Sequence, residues 1–428
     1  MIPLSPRSAR RRFALISFLS WLPTGLTLAP MILLMTGRGL GLAEIGLVTA
    51  AYSATCIALE LPTGGLADVL GRRVVLAAAA AFGLASLTML AFATVTWQFL
   101  LAMVLNGVAR ALSSGPAQAW YVDALHAAEG PDADLKPGLA RGEAMGSVAL
   151  CVGMLVGGFV PLAVPEQTIT PLAVPVLAGA VASGVLLVAA LVAMPEPPRP
   201  RATFAGVLRG VPAAVGASLR LALRDPGLSR LLLVAFAIGV VVGSIELLTP
   251  GRLASLTGRA ESGGSVYAVV AALGFAANAM GHVLAPAAAR LLGTSARAAA
   301  AATVLAAAAV GALAASVALS GVAGVVAAAA AYVVLFVGLS VIGLLRAEMM
   351  HRRVVSAQRA TLMSVNSLLL QFGGLVSSLA VVWLAAGAGT AVAWAVGAVV
   401  LVLAVPLYPR GTGRAVAEEA VAVPDRVA

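Results

Sequence analysis

Four ionisable side chains interrupt long apolar stretches of this 428-residue sequence: Glu60, Arg110, Glu246 and His282. On insertion scales, a charge at the centre of a lipid bilayer costs about 2.5–3.5 kcal/mol, so such residues are rare unless they have a function. A carboxyl group or an imidazole can gain and lose a proton there, whereas an arginine stays charged. The combination indicates proton exchange, or the binding of a charged group, inside a membrane.

Each of these residues also has a purely structural interpretation. Arg110 is either a fixed positive charge that controls a proton site or contacts substrate, or a partner for backbone carbonyls or a buried carboxylate. Glu60 either cycles a proton or anchors the following loop through backbone N–H groups. Glu246 either binds a proton or cation in a cavity or pairs with Arg252 at the membrane surface, and His282 is more typical of a packing residue.

Uncharged polar residues occur along the same stretches, where they can line a cavity or form hydrogen bonds between helices. Aromatic residues can line a cavity too, or lie at the membrane interface. The candidates are the amides Asn106, Gln118, Asn278, Asn366 and Gln371, and the aromatic residues Trp21, Tyr52, Trp120, Tyr267 and Trp383.

Patterns typical of enzymes and metal sites are missing from the sequence. Cys56 and Cys151 lie in apolar runs without the Cys-x-x-Cys spacing of a zinc or iron–sulfur site, and they form no disulfide framework. His126, His282 and His351 lie in separate segments, and the sequence contains neither His-Glu-x-x-His nor a glycine-rich phosphate loop with lysine. The sequence therefore predicts no enzymatic activity, no metal, no cofactor and no ATP-driven pumping.

Composition and length favour an all-α membrane protein. Hydrophobic residues make up 61% of the chain and charged residues 10%, against about 25% charged residues in soluble domains. A helix needs about 20 apolar residues to cross the hydrocarbon core. The sequence contains about 12 such runs: Phe13–Met35, Leu42–Thr63, Val74–Val95, Trp97–Leu125, Leu139–Val164, Thr170–Met194, Leu231–Pro250, Ser262–Ala289, Ala298–Leu319, Val322–Leu345, Ala360–Ala386 and Thr390–Tyr408.

The basic residues predict how these runs are oriented. With the N-terminus in the cytoplasm, 23 of the 27 Lys and Arg fall in cytoplasmic loops and tails, three fall outside, and Arg110 lies within a run. This asymmetry places both termini in the cytoplasm. It also explains the net charge of +10 without a nucleic-acid partner. Of the 27 Lys and Arg, all except Lys136 are arginine, a bias typical of GC-rich bacterial genomes, so we expect a bacterial cytoplasmic (inner) membrane.

The runs divide into two sets of six. Residues 1–194 are expected to form one six-helix bundle and residues 231–408 a second, with a linker over 195–230 and a cytoplasmic tail over 409–428. Apolar residues recur at helical spacing in the linker, which predicts an amphipathic helix on the membrane surface. A short repeat relates residues 68–71 to residues 290–293. Duplicated bundles of this kind are typical of transporters, with the substrate bound between them.

The loop after the second run carries the most informative motif. Gly64, Asp68, Gly71, Arg72 and Arg73 belong to Gly-Gly-Leu-Ala-Asp-Val-Leu-Gly-Arg-Arg, which resembles the loop 2–3 signature of the major facilitator superfamily, Gly-x-Leu-Ala-Asp-x-x-Gly-Arg-Arg/Lys. Its glycines permit a tight turn between helices, and its aspartate can cap a helix. The resemblance implies that fold over nearly the whole chain and a gate at the cytoplasmic side.

Span four adds to the resemblance. The segment around Arg110, followed by Ala-Trp-Tyr-Val and Asp123, is similar to the family's fourth span with its buried arginine. Asp123 is placed to pair with Arg72 or Arg73 and so to lock the gate. Residues 60–64, Glu-Leu-Pro-Thr-Gly, are similar to a Glu-x-Pro-Thr-Gly variant that many bacterial members carry.

Span five contains a glycine motif. Gly153, Gly157 and Gly158 resemble the Gly-Pro-x-x-Gly-Gly signature associated with antiporters, although Met154 occupies the position of the proline. Glycines at this spacing let helices approach closely, so the motif also fits a packing or rocking surface.

The resemblance implies a proton-coupled secondary transporter that works by alternating access, as in the drug-efflux branch of the family. Because the spans carry few charges, we expect export of a small hydrophobic or amphipathic compound, such as an antibiotic, which would confer antibiotic resistance. One alternative is proton symport of a small metabolite, with Arg110 binding its carboxylate. Another is a non-transporting membrane scaffold. The expected partners are a small-molecule substrate, protons and the lipid bilayer, with the protein as a monomer.

Overall fold

The computed structural model describes residues 4–64, 66–130, 132–165, 170–196, 225–354 and 358–409, together with the isolated residues 216, 220 and 223. Over these ranges the chain is helical, without strands, as its composition predicts. The predicted amphipathic helix in the linker and the tail beyond residue 409 lie outside the described residues.

Sixteen α-helices cover the described residues. In the first half they are α1 (Pro6–Leu28), α2 (Pro30–Gly37), α3 (Leu42–Gly64), α4 (Leu66–Leu70), α5 (Arg72–Phe92), α6 (Thr96–Ser113), α7 (Pro116–Glu129), α8 (Lys136–Ala163) and α9 (Ala173–Ala193). In the second half they are α10 (Pro226–Thr257), α11 (Ala260–Leu291), α12 (Ser295–Ala315), α13 (Gly321–His351), α14 (Arg359–Val376), α15 (Val382–Ala388) and α16 (Thr390–Ala404).

These helices form the predicted membrane spans. Within the described residues, 11 helical segments are long and apolar enough to cross a bilayer, and the bent pair α1–α2 makes a twelfth. Helices of the first half pack mainly on one another, as α1 does on α8 and α9, and helices of the second half do the same. The two bundles meet chiefly where α8 contacts α11 and where α3 contacts α14. This arrangement confirms the predicted fold class.

Three of the predicted spans are interrupted, two of them at prolines, which break helices. Span one bends by 42° between α1 and α2, at Pro30. Span four breaks between α6 and α7, where Gly115 adopts φ +96° ahead of Pro116. Span eleven contains a π-helical turn over Ser377–Val381. In a membrane, such breaks are tolerated where protein or a cavity, rather than lipid, surrounds the freed backbone groups.

The tenth span is longer than predicted. Its helix α13 continues to His351, so Arg346, which the sequence analysis placed in a cytoplasmic loop, is a buried helical residue. The run that predicts the span ends at Leu345 only because a charge follows it.

Hereafter, the inner end of the molecule is the end where α1 begins, and the outer end is opposite. The bundles approach each other most closely toward the outer end. A methyl group on Gly158 of α8 would clash with the Cβ of Ala268 on α11, and one on Gly46 of α3 would clash with the carbonyl oxygen of Ser378. Leu33 of α2 also reaches Gly264 of α11. Small residues therefore allow helix backbones from the two halves to touch there.

Equivalent positions in the two halves have equivalent geometry. Gly71 and Gly293, which correspond in the sequence repeat, adopt φ +98° and +79° in the turn before the third helix of each bundle. Arg38, after span one, donates to the carbonyls of Ala91 and Ala93 at the outer end of span three. Arg252, in span seven, donates to carbonyls at the outer end of span nine in the same way. Both observations support the duplication that the sequence indicates.

Candidate functional site: a polar group between the two bundles

Four side chains that can bind charge or protons lie at a common depth. Tyr52, Arg110 and Tyr332 are 10, 14 and 11 residues from the outer ends of their spans, and Glu246 is 11 residues from the outer end of α10. At 1.5 Å per residue these positions are roughly 15–21 Å below the outer end, near the middle of the spans. They come from both bundles, so they form a candidate site between the halves.

Glu246 faces the space between the bundles. Its side chain is exposed, although Ser244, Ile245 and Leu247 beside it on α10 are buried. It interacts electrostatically with Tyr52 of the first bundle, and also with two tyrosines of the second. An exposed carboxylate that interacts with tyrosines of both halves lies near the boundary between the two bundles.

The alternative role for Glu246, pairing with Arg252, is not observed. Arg252 donates instead to the backbone carbonyls of Ser316, Val317 and Leu319. Glu246 is therefore not held as an interfacial ion pair by this arginine.

Three aromatic rings of the second bundle, Tyr267, Tyr332 and Phe336, pack on one another. Tyr267 of α11 meets Tyr332 of α13 edge to face, with ring centroids 6.5 Å apart. Tyr332 stacks on Phe336 one turn further along, at 4.7 Å. Gly274 leaves the space that the Tyr332 ring occupies. Tyr267 and Tyr332 are buried and Phe336 is half-buried, so among these three rings only Phe336 keeps a partly open surface, of the kind that binds cations and flat apolar groups.

Arg110 lies in the last turn of α6, immediately before the break in span four. Its guanidinium carbon is 5.1 Å from the centroid of the Trp21 ring of α1, a cation–π contact, and its side chain is otherwise exposed. The carbonyl groups that end α6 also lie at this depth, and they favour a positive charge. The contact holds the arginine at the site without neutralising its charge.

One face of α3 links these groups to the second bundle. Tyr52, Cys56 and Glu60 are spaced four residues apart and so lie on one face. Tyr52 and Cys56 both interact electrostatically with Arg110. At the inner end of the row, Gln371 of α14 donates a hydrogen bond to the carboxylate of Glu60. Glu60 therefore bonds across the two bundles, a contact that neither sequence interpretation includes.

Of the remaining polar candidates, Asn106 lies one turn from Arg110 on the same face of α6, and the others lie away from this group. Asn106 is half-buried in α6, and the backbone carbonyl of Asn278 accepts a hydrogen bond from Ser340 at 2.6 Å. Gln118 lines a small inner-end pocket of about 390 Å³ beside Arg72. His282 is exposed nine residues from the inner end of α11, and no contact among the described residues joins it to the site.

Two tryptophans that the sequence offers as lining residues lie elsewhere. Trp120 is buried in the first bundle and donates to the carbonyl of Pro195 at 3.1 Å. Trp383 is 68% exposed toward the outer end of span eleven.

The loop 2–3 motif is organised by two acidic residues. Arg72 forms an ion pair with Asp123 and also donates to the carbonyl of Ala119, so the pairing predicted for Asp123 is present. Glu196 accepts from the backbone N–H groups of Arg72 and Arg73 at 2.8 and 3.1 Å, and thereby caps the start of α5. The side chain of Asp68 lies outside the described residues.

The glycine motif of span five packs against two different helices. Gly153 and Gly157 contact the backbone of α1 at Gly25 and Leu26, within the first bundle, whereas Gly158 contacts α11 of the second. Met154 is fully buried and belongs to the core of the second bundle. The motif is therefore part of the contact between the halves.

The sequence analysis missed two residues that the structure makes prominent. Tyr332 lies in an apolar run without a distinctive neighbour, and only its packing on Tyr267 brings it to the site. Arg346 is 4% exposed and donates to the side chain of Asn366 at 2.6 Å and to the carbonyl of Leu231 at 3.3 Å. The sequence signal that could have identified Arg346 is the continuation of the helical pattern of span ten beyond Leu345.

Comparison with known proteins identifies the family to which this fold belongs. The family model described as Major Facilitator Superfamily matches residues 13–378. No curated protein matches the chain significantly. Among solved structures, the nucleoside transporter NupG superposes with a TM-score of 0.76 at 14% identity, covering 94% of this chain and 98% of that one.

Two further solved structures are similar over the same length. A bacterial homologue of the iron transporter ferroportin, in an inward-facing state, has a TM-score of 0.69 at 16% identity and covers 95% of this chain and 98% of its own. A bacterial homologue of the human lysosomal transporter Spinster, inward-facing and unoccupied, has a TM-score of 0.69 at 15% identity and covers 94% of each chain. At these identities the similarity extends to the fold alone.

Proposed function

The chain belongs to the Major Facilitator Superfamily, and on that premise we propose that it is a proton-coupled exporter of small amphipathic compounds that carry a positive charge or an aromatic group. The observation that carries the proposal is Glu246, an exposed carboxylate that interacts with the half-buried Tyr52 of the opposite bundle and with the buried Tyr267 and Tyr332 of its own. A carboxylate with aromatic neighbours favours an amphipathic cation over a sugar or a phosphate, which need denser polar or basic groups.

Coupling follows if protons and substrate share this carboxylate. A proton bound at Glu246 neutralises it, and a cationic substrate that takes its place restores the ion pair. Arg110, held on Trp21 at the same depth, disfavours simultaneous occupation by a cation and a proton because it repels both. The site then carries the substrate in one direction and the proton in the other, but never both together, which is the requirement for exchange.

Glu60 is the second candidate for proton movement. In the observed arrangement its carboxylate accepts the hydrogen bond from Gln371, which ties α3 to α14. Protonation removes the charge from the acceptor and weakens this bond, since hydrogen bonds to ionised groups are the stronger ones. We therefore assign Glu60 to the control of bundle separation and Glu246 to substrate exchange.

The proposal is tested in inside-out vesicles that hold the protein and are energised to an acid interior. A pH-sensitive dye follows protons while hydrophobic cationic antibiotics are added. We expect drug-dependent proton release, lost in Glu246→Gln and retained in the matched variant Glu261→Gln, which neutralises a carboxylate at the outer end of α11 that interacts with Arg259 at 3.8 Å. If no compound of this class moves protons, or if Glu246→Gln behaves like Glu261→Gln, the proposal is wrong.

Proton symport of a small organic anion is the second candidate. It is favoured by the exposed guanidinium of Arg110, which no acidic side chain neutralises among the described ion pairs and which could bind a carboxylate. In the same vesicles, proton release would then require an anionic metabolite loaded into the interior, since a symporter carries both in one direction, and Arg110→Gln would abolish the response. We further propose that the protein acts as a monomer in a bacterial cytoplasmic membrane, with the inner end in the cytoplasm.

A further inference from the structure

A cavity separate from the central site opens at the inner end of the second bundle. Its volume is about 1130 Å³, and it lies between the ends of α11, α12 and α13 and the residues that follow α16. Four arginines and one glutamate supply its charged lining: Arg290, Arg297, Arg352, Arg353 and Glu348. The transport mechanism proposed above uses none of these residues.

Two of the four arginines are already neutralised. Arg352 pairs with Glu348, and the oxygen atoms of that carboxylate also accept from Ser295 at 2.9 Å. Arg353 pairs with Asp225, at the start of α10, at 2.9 Å. These contacts fix one wall of the cavity.

The other two arginines retain their charge. Arg290, in the last turn of α11, and Arg297, in the first turn of α12, are both exposed, and neither has an acidic partner among the residues that the structure describes. The turn between them runs through Gly293, and Thr294 caps α12 by accepting from the N–H of Arg297 at 3.1 Å. The cavity therefore holds uncompensated positive charge on a short, well-defined turn.

The mouth of the cavity adjoins lipid-facing apolar residues. Leu291 is 85% exposed and Leu292 is 43% exposed, and both lie in the turn between the two free arginines. A guanidinium group at a helix end reaches the level of the headgroups, while leucines beside it contact acyl chains. The surface thus combines a basic recess with an adjacent apolar flank.

We propose that this cavity binds the phosphate of an anionic phospholipid headgroup, with Arg290 and Arg297 as its ligands and Leu291 against an acyl chain. Guanidinium groups bind phosphate oxygens with charge-assisted, paired hydrogen bonds, which suits arginine better than lysine. A free phosphate ion would use the same two arginines but would gain nothing from the leucines. The general excess of basic residues at the inner end explains why arginines occur here. It does not explain why Arg290 and Arg297 line the same cavity.

The test measures lipid binding to the purified full-length protein in detergent by native mass spectrometry. Dioleoyl phosphatidylglycerol is the anionic probe and dioleoyl phosphatidylcholine its zwitterionic counterpart. We expect the double variant Arg290→Gln/Arg297→Gln to bind phosphatidylglycerol about tenfold more weakly or worse, because two charged hydrogen-bond donors are lost. The matched control is Arg141→Gln/Arg230→Gln, which removes two exposed arginines from the inner ends of α8 and α10 and should leave binding unchanged.

A third variant distinguishes loss of binding from loss of folding. Glu348→Gln removes the one acidic group of the lining and frees Arg352, so it should bind phosphatidylglycerol more tightly than wild type, which an unfolded protein cannot do. Equal binding by wild type and the Arg290/Arg297 variant overturns the proposal, as does equal binding of the two lipids. Inorganic phosphate added as a competitor distinguishes a lipid headgroup from a free phosphate ion as the ligand. If phosphate displaces phosphatidylglycerol at a concentration similar to that of the lipid, the site binds free phosphate and the assignment to lipid is wrong.

Discussion

The contact between Gly158 and Ala268 provides a direct way to shift the balance between the two conformations of an alternating-access cycle. These residues join α8 to α11 toward the outer end, where the helix backbones touch. The contact must separate when the outer end opens. Gly158→Ala adds one methyl group at a point that has no room for it, so the variant should favour the state with the outer end open.

The structure gives the size of the effect. The added Cβ would clash with the Cβ of Ala268 and lie 3.0 Å from the carbonyl oxygen of Gly264, and neither is the end of a flexible side chain. The helices themselves must therefore move apart. Overpacking of this kind costs about 1–3 kcal/mol. The cost falls on the closed state alone, so the ratio of open to closed molecules should rise about 5- to 150-fold.

Distances between spin labels measure this ratio. Ala43 at the start of α3 and Ala388 at the end of α15 are both exposed at the outer end, one in each bundle. Cysteines at these two positions, in a background where Cys56 and Cys151 are serine, accept the labels. Double electron–electron resonance should show a larger population at long distance in Gly158→Ala than in the parent.

The control is Gly311→Ala. Gly311 lies four residues from the outer end of α12, as Gly158 lies five from the outer end of α8, and a methyl group there would meet nothing within 4 Å. Its distance distribution should equal that of the parent. Should Gly158→Ala also match the parent, the α8–α11 contact would not be the one that closes the outer end, and our assignment of the glycine motif would fail.

Three further predictions concern the inner end. Asn366→Leu removes the 2.6 Å acceptor of the buried Arg346 guanidinium, which keeps only the carbonyl of Leu231, and should destabilise the protein by about 1.5–3 kcal/mol in detergent unfolding, whereas Arg346→Met/Asn366→Leu should recover most of the loss. Burial raises the pKa of Asp225, but hydrogen bonds from Arg353 and from the N–H of Gly227 outweigh it and lower this pKa below 3.8. The stabilisation by Asp225 is therefore present above pH 3.8 and lost as the pH falls through the lowered value, so the melting-temperature difference between wild type and Asp225→Asn should be present at pH 7 and vanish in acid. Asp123→Asn should change stability by less than about 1 kcal/mol, because Asp123 is 54% exposed, so any large loss of transport in this variant, measured in the vesicles, would reflect the gate.

The sequence predicts the span number and the two-bundle fold because each span must be apolar over its whole length, a signal that needs no tertiary information. It predicts where spans break only where a proline marks the position. Gly115 and Pro116 mark one break in the sequence, but the π-helical turn in span eleven has no comparable signal. Whether a break is tolerated depends on what surrounds the freed backbone groups, and that is a property of the packed bundles.

The candidate site is predictable only in part, for a related reason. Arg110 and Glu246 are evident because a charge in an apolar run is conspicuous whatever it touches. Their partners are less evident: Trp21 and Tyr52 appear only among several aromatic candidates and Tyr332 not at all, because these are ordinary membrane residues until the fold brings them to one depth. The sequence identifies the charges, and the packing identifies what each charge contacts.

The two ends of the molecule are joined by different kinds of contact, and this difference bears on where a proton can act. Toward the outer end the bundles meet through small residues, as Gly158 does with Ala268, and such van der Waals contacts do not depend on protonation. The bond from Gln371 to Glu60, nearer the inner end, is polar and depends on the charge of a carboxylate. On our proposal for Glu60, protonation loosens the inner contact directly, whereas the outer contact does not respond to protonation. We therefore expect Glu60→Gln to alter the pH dependence of opening at the inner end. The same substitution should leave the effect of Gly158→Ala at the outer end unchanged. Spin-label distances measured in Gly158→Ala and in the double variant Glu60→Gln/Gly158→Ala test this second expectation.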